Sequence, residues 1–247
     1  MIPIEKTLIC SVIAVYLFIT LAPLIWVLST SFKPNQEAIS FPPKLLPDAP
    51  TLDNYLFVLT DPKLVTSLFN SLLVSLGGTG LSVAVSALGA YAFARFEFKG
   101  KNLLMSTILG LFMIPVVINI IPLNIFLLKN YFETIPKELE EAALIDGCSK
   151  LRALWHIIVP MSMPGFLIAA ILSFRFSWNE FVLPIVLSNK PDVMVFQVAL
   201  YQFISLYRID WGYLTAGITI ALIPVVVLML ISQKRMIRGL TLGAVRG

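Results

Sequence analysis

Charge is what this chain has least of. Of its 247 residues only 13% are Asp, Glu, Lys or Arg, about half the share of an ordinary soluble domain. With 58% hydrophobic residues and a mean hydropathy of +0.89, a water-soluble globular domain is excluded and a polytopic membrane protein is expected. Histidine is nearly absent too: the single His156 follows Trp155 and reads as a surface or packing residue. There are two cysteines, Cys10 in an apolar run and Cys148 in a polar loop. No disulfide and no metal site is expected from them. No phosphate-binding glycine-lysine loop occurs, so neither a nucleotide site, a cofactor nor a catalytic residue is expected. A cleavable leader is not expected either, because the apolar run from Leu8 to about Ser29 is long enough to span a bilayer and no small-x-small site follows it.

The formal charge is +4, but its distribution matters more. Lys and Arg gather in a few short loops, the pattern of cytoplasmic loops rather than of nucleic-acid binding. After the first span, residues 30–63 form a proline-rich connector in which Pro34, Pro42, Pro43, Pro47, Pro50 and Pro62 disfavour long helices. A second span runs from about Leu68 to Ala94. Ser82, Ser86, Ala90 and Ala94 recur on it at every fourth position below Gly77, Gly78 and Gly80. In lipid such a small-residue face marks a helix buried among others. The basic stretch Arg95–Lys101 caps it.

Asn102 to Leu128 is apolar and carries Pro115 and Pro122. One span needs about 20 residues and two with a turn about 40, so this segment is long for one and short for two. The loops on either side are both basic and both read as cytoplasmic, which demands an even number of crossings. Three explanations stay open: a lost helical hairpin, a sequence joined from two parts of a longer one, or a re-entrant segment. Pro164 to about Ser188 reads as the next span and holds Arg175, Asn179 and Glu180 at membrane depth. Such groups face a bundle interior or an aqueous path. Residues 189–210 read as a second external loop, Trp211 to about Ser232 as the last span, and 233–247 as a basic cytoplasmic tail.

One long polar segment interrupts all this. Pro136 and the acids after it suit a helix start. Gly147 suits a left-handed helix end and Ser149 a cap for the next helix. Leu151, Leu154, Trp155 and Ile158 then fall on one helical face. Helix, glycine hinge, helix is predicted over 134–160; an interfacial amphipathic hairpin is the plainer alternative.

Glu141-Ala-Ala-Leu-Ile-Asp-Gly147 followed by Trp155, Ile158 and Pro160 resembles the EAA loop of inner-membrane permease subunits of ABC importers. Ala90-Tyr-Ala-Phe-Ala-Arg-Phe-Glu-Phe-Lys-Gly100, Ser177-Trp-Asn-Glu-Phe181 and the ending Gly239–Gly247 are similar to the carbohydrate branch, notably the second permease of maltose- and glycerol-phosphate-type systems. Met113-Ile-Pro-Val-Val-Ile118 resembles the family's third core span and Asn124–Pro136 the end of its fourth, with roughly a hairpin's length missing between about Pro122 and Asn124.

The resemblance implies one all-α permease domain over 1–247, a bundle of about five to six transmembrane helices in a bacterial inner membrane, with one span shortened or missing near 122–130. It implies inward movement of a sugar or oligosaccharide by alternating access, driven by a separate ABC ATPase dimer. A second, different permease and an extracytoplasmic sugar-binding protein are the further partners. Glu141, Ala142, Ala143, Asp146, Gly147, Trp155, Ile158 and Pro160 would couple to the ATPase, and Gly243, Ala244 and Val245 of the tail would touch it. Arg175, Trp178, Asn179 and Glu180 would border the translocation path, although Arg175 lies outside the usual pattern. A channel or secondary carrier, and a transport-incompetent truncated permease, are the alternative functions.

Overall fold

The structure is a computed structural model that describes residues 3–111, 120–188, 190–205 and 208–244. Among these the protein is all helical: α1 Pro3–Ser31, α2 Asn35–Ala38, α3 Asp53–Thr60, α4 Pro62–Arg95, α5 Lys101–Gly110, α6 Ile120–Glu133, α7 Lys137–Ile145, α8 Lys150–Ala153, α9 Val159–Met161, α10 Met163–Trp178, α11 Val182–Leu187, α12 Phe196–Tyr201 and α13 Trp211–Ala244. A π-helical turn, Leu154–Ile158, joins α8 to α9.

Among the described residues, three helices are long and apolar enough to cross a membrane: α1, α4 and α13. The pair Lys150–Met161 and Met163–Trp178, bent by 85°, supplies a fourth if it is one broken span. The other helices are shorter over the described residues. At 1.5 Å per residue α5 and α6 are about 15 and 21 Å long, against about 30 Å of hydrocarbon. Helix α10 stops at Trp178 rather than running to Ser188, because the Asn179 side chain turns back to the Arg175 carbonyl (2.9 Å) and ends it. Conversely, α13 does not stop near Ser232: its backbone stays helical to Ala244, so most of the expected tail continues the last helix. Met113–Ile118, Pro115, Asn189 and Val245 lie outside the described residues.

The chain forms two compact units. Unit 1 comprises Met1–Asn70 and Phe181–Pro224. Its core joins Val58 and Leu64 to Phe196, Ala199 and Leu200 of α12 and to Leu214, Ala216 and Ile220 of α13. The stretch read as a loop over 189–210 is therefore partly core, since α12 is buried along one side. Asn54 donates to the carbonyls of Ser31 and Lys33 (both 2.8 Å), and the Asn35 carboxamide oxygen accepts the Gly212 N–H (2.8 Å) at the start of α13. Helix α1 is almost wholly exposed.

Unit 2 comprises Ser71–Glu180 and Val225–Gly247. Its core gathers Ala87, Ala90, Tyr91 and Ala94 of α4, Leu128 and Phe132 of α6, Leu154, Ile158 and Ala169. All four members of the small-residue stripe are buried, and the stripe continues through Ser75 and Ser71 while Gly77, Gly78 and Gly80 stay exposed. Small side chains let α6 and α10 approach closely. Asn124 at the centre donates to Ser82 (3.2 Å) and Ser173 (2.7 Å). A Cβ placed on Gly165 would lie 2.5 Å from the Tyr131 ring, so that crossing requires glycine.

Candidate functional site

The hairpin α7–α8 is built as its local sequence dictates. Pro136 stands at the N-cap of α7, with Glu138 and Glu140 in the first turn, where acids oppose the helix dipole. At the other end Gly147 has φ +87°, the left-handed region. Its N–H reaches the Leu144 carbonyl (3.1 Å) and the Cys148 N–H reaches the Ala143 carbonyl (2.9 Å). This double bond pattern is a Schellman end, which satisfies carbonyls that would otherwise be left open. Ser149 then accepts the Arg152 N–H (3.3 Å) and starts α8.

Residues predicted from the sequence divide between two faces. Glu141, Ala142, Asp146, Trp155 and Pro160 are exposed, whereas Ala143 and Ile158 are buried. The expected single apolar face of Leu151, Leu154, Trp155 and Ile158 is split. Leu154 and Ile158 are fully buried, while Leu151 is 58% and Trp155 47% exposed. A π turn covers Leu154–Ile158, so its residues no longer follow the ordinary 3.6-residue spacing on which that face was read. Ile145 is the most exposed of the group, at 86%. Ile145, Leu151 and Trp155 thus project outward from the hairpin alongside Glu141.

A buried polar cluster that sequence reasoning missed lies behind the hairpin. Glu140 is only 7% exposed. One of its carboxylate oxygens accepts the Tyr91 hydroxyl, and the other sits 2.9 Å from Arg95 Nε. That N–H points off the line to the oxygen, so the contact is chiefly Coulombic. Arg95 also donates through an Nη to the Ile135 carbonyl (3.0 Å). Tyr91 and Arg95 are four apart on α4, a spacing that places them on one helical face. Only the distant Glu140 was unforeseeable. Beyond α4, Glu97 is held below the usual carboxylate range by its hydrogen bond and attraction to Lys101 (2.7 Å).

The residues expected along the path are not alike. Trp178 is buried and stacks on Phe174, with ring centroids 5.6 Å apart. Arg175 and Asn179 are exposed, and Glu180 is half-buried. Gly243 and Ala244 close the helical backbone of α13. His156 is exposed, its Nδ1 3.0 Å from the Arg152 carbonyl.

Residues 9–241 match the family model of the binding-protein-dependent transport system inner membrane component. The chain belongs to that family. It is 34% identical to the sulfoquinovosyl glycerol transport system permease protein SmoH of Agrobacterium fabrum, covering 92% of this chain and 89% of the relative. It is 34% identical to the trehalose transport system permease protein SugB of Mycobacterium tuberculosis (92% and 93% covered) and 33% identical to the trehalose/maltose transport system permease protein MalG of Thermococcus litoralis (93% and 92%). A chain of a bacterial ABC transporter for import of the acidic polysaccharide alginate has the same fold. There the TM-score is 0.81 at 22% identity, with 94% of this chain and 96% of that chain covered. The protein is accordingly an inner-membrane transport component with an all-α polytopic fold.

The SmoH alignment runs over 254 positions but takes in 92% of 247 residues, about 227, which leaves about 27 positions where this chain has nothing. The same comparison gives about 29 positions for SugB (256 less about 227) and for MalG (259 less about 230).

Proposed function

We propose that this chain is the permease subunit of an ATP-driven importer of sugars or oligosaccharides, and that the α7–Gly147–α8 hairpin is the element that docks in a cleft of the cytoplasmic ATPase. The observation that carries this reading is the sorting of the hairpin's side chains. Ala143 and Glu140 turn inward, while Ile145, Leu151 and Trp155 are left in the open beside Glu141. Apolar groups projecting together from a polar connecting segment suit a protein partner. Glu141 supplies a charge for a cation on the ATPase, Ala142 allows close approach, and Gly147 sets the turn.

ATP hydrolysis belongs to the partner, and this chain contributes no catalytic group. Closure of the ATPase dimer displaces the hairpin and shifts the bundle between two access states, a rigid-body transition of the rocking kind. A second, different permease completes the pathway. Residues 30–63 and 189–210 face the extracytoplasmic binding protein, and the end of α13 reaches toward the ATPase. The exposed Arg175 and Asn179, with Glu180, line the path, and Trp178 braces them from within. The sugar class is supported by relatives named for sulfoquinovosyl glycerol, trehalose, maltose and diacetylchitobiose.

The test is to tag this chain in its host, isolate the complex and identify its subunits by mass spectrometry. An ABC ATPase, a second permease and a sugar-binding protein are expected. In the same cells Gly147→Pro and Glu141→Lys should abolish uptake of a panel of labelled di- and oligosaccharides. Full uptake by both variants, or isolation of the chain without an ATPase, would sink the proposal.

A further inference from the structure

Resting on that reading, we infer that Glu140, rather than its neighbour Glu141, carries force from the hairpin into the membrane-embedded part of the protein, as a positioning residue held between Tyr91 and Arg95. Glu141 is exposed and faces outward, so it can bind a partner but cannot grip the bundle. Glu140 has the opposite placement. Both of its oxygens are engaged by α4, one by the Tyr91 hydroxyl and the other by Arg95 at 2.9 Å, and Arg95 in turn holds the Ile135 carbonyl just before α7. The start of α7 is thereby clamped at two points to the end of a 34-residue helix. The charged pair is largely out of water, with side chains 6% and 10% exposed, so separating it leaves an uncompensated buried charge. A soft apolar contact could slide. This one resists sliding, so a displacement of α7 moves α4 with it.

The test uses the complete importer purified from its host with its binding protein, and compares ATP hydrolysis with and without that binding protein. Glu140→Gln should cut the stimulated-to-basal ratio by about fivefold or more, the scale of a typical coupling between sites, while the amount of ATPase retained on the complex stays unchanged. Tyr91→Phe, which removes one bond and no charge, should give an intermediate loss, and it serves if Glu140→Gln fails to assemble. The exchange Arg95→Glu with Glu140→Arg should recover part of the ratio. An unchanged ratio in Tyr91→Phe and Glu140→Gln overturns the inference. Gly147→Pro is the control: if it too leaves the ratio and ATPase retention unchanged, the docking of the hairpin has failed as well.

Discussion

Asn124 on α6 donates its carboxamide to Ser173 on α10 across 2.7 Å, at a point where both residues are buried. The same amide reaches Ser82 on α4, so one side chain ties three helices together. Asn124→Leu keeps the volume but removes a donor from both hydroxyls, while Ser173 keeps its own bond to the Ala169 carbonyl (2.8 Å). Hydrogen bonds between helices in membranes contribute about 0.6 kcal/mol on average and up to about 1.7. We expect a loss in that range, read from unfolding of the purified subunit under denaturant, and an unchanged midpoint would show that the link is idle.

Gly165 and Tyr131 mark the tightest crossing of α10 and α6. Gly165→Ala forces the Tyr131 ring aside and should cost about 1–3 kcal/mol, the usual range for overpacking. Because the clash is with the ring, Gly165→Ala combined with Tyr131→Leu should recover most of the loss. Equal destabilisation in the single and double variants would place the cost elsewhere.

The exposed apolar side chains of the hairpin can be separated from its fold. Ile145→Asp changes a residue that is 86% exposed, so subunit stability should move by no more than about 0.5 kcal/mol. ATPase recovered with the tagged complex should nevertheless fall steeply. Gly147→Ala, in contrast, forces a side chain into the left-handed region at about 1–2 kcal/mol. It should weaken both stability and recovery.

A minor pH dependence is expected at the end of α4. Glu97 titrates below its usual range because of Lys101, so its contribution is present above the unfolded carboxylate value and is lost as pH falls through the folded one. Thermal midpoints of the native protein and Lys101→Met should differ at neutral pH and converge in acid. A difference that persists in acid would point to Lys101's other bond, to the Phe96 carbonyl.

Local rules were readable in the sequence where they depend on neighbours in the chain. The buried faces of Ser82, Ser86, Ala90 and Ala94 follow from four-residue spacing, and the Gly147–Ser149 turn follows from helix-end chemistry. What could not be read depends on rotation or distance. Glu140 and Glu141 are identical neighbours, and only the 100° between successive helical residues, with Tyr91 and Arg95 waiting on α4, decides which is buried. The π turn that splits Leu154 from Trp155 has no sequence signature. Helix α12 lay hidden because its buried residues meet partners far away in the chain, on α3 and α13.

The discontinuity of unit 1 bears on the order in which the protein can be made. The Asn35 bond to Gly212 joins residues 177 apart, and Asn70 binds the Asp192 and Met194 carbonyls across 122 and 124 residues. Ser71–Glu180, the greater part of unit 2, leaves the ribosome between those partners. Its core contacts are closer in sequence and close sooner, since the entropy of loop closure grows with separation. Until α12 and the start of α13 emerge, Asn35 and Asn70 lack those partners, and the early segment is held only by local bonds such as those of Asn54 to the Ser31 and Lys33 carbonyls. A ribosome stalled before residue 181 would leave most of the unit 2 core in place while Phe196, Ala199 and Leu200 of the unit 1 core were still unmade.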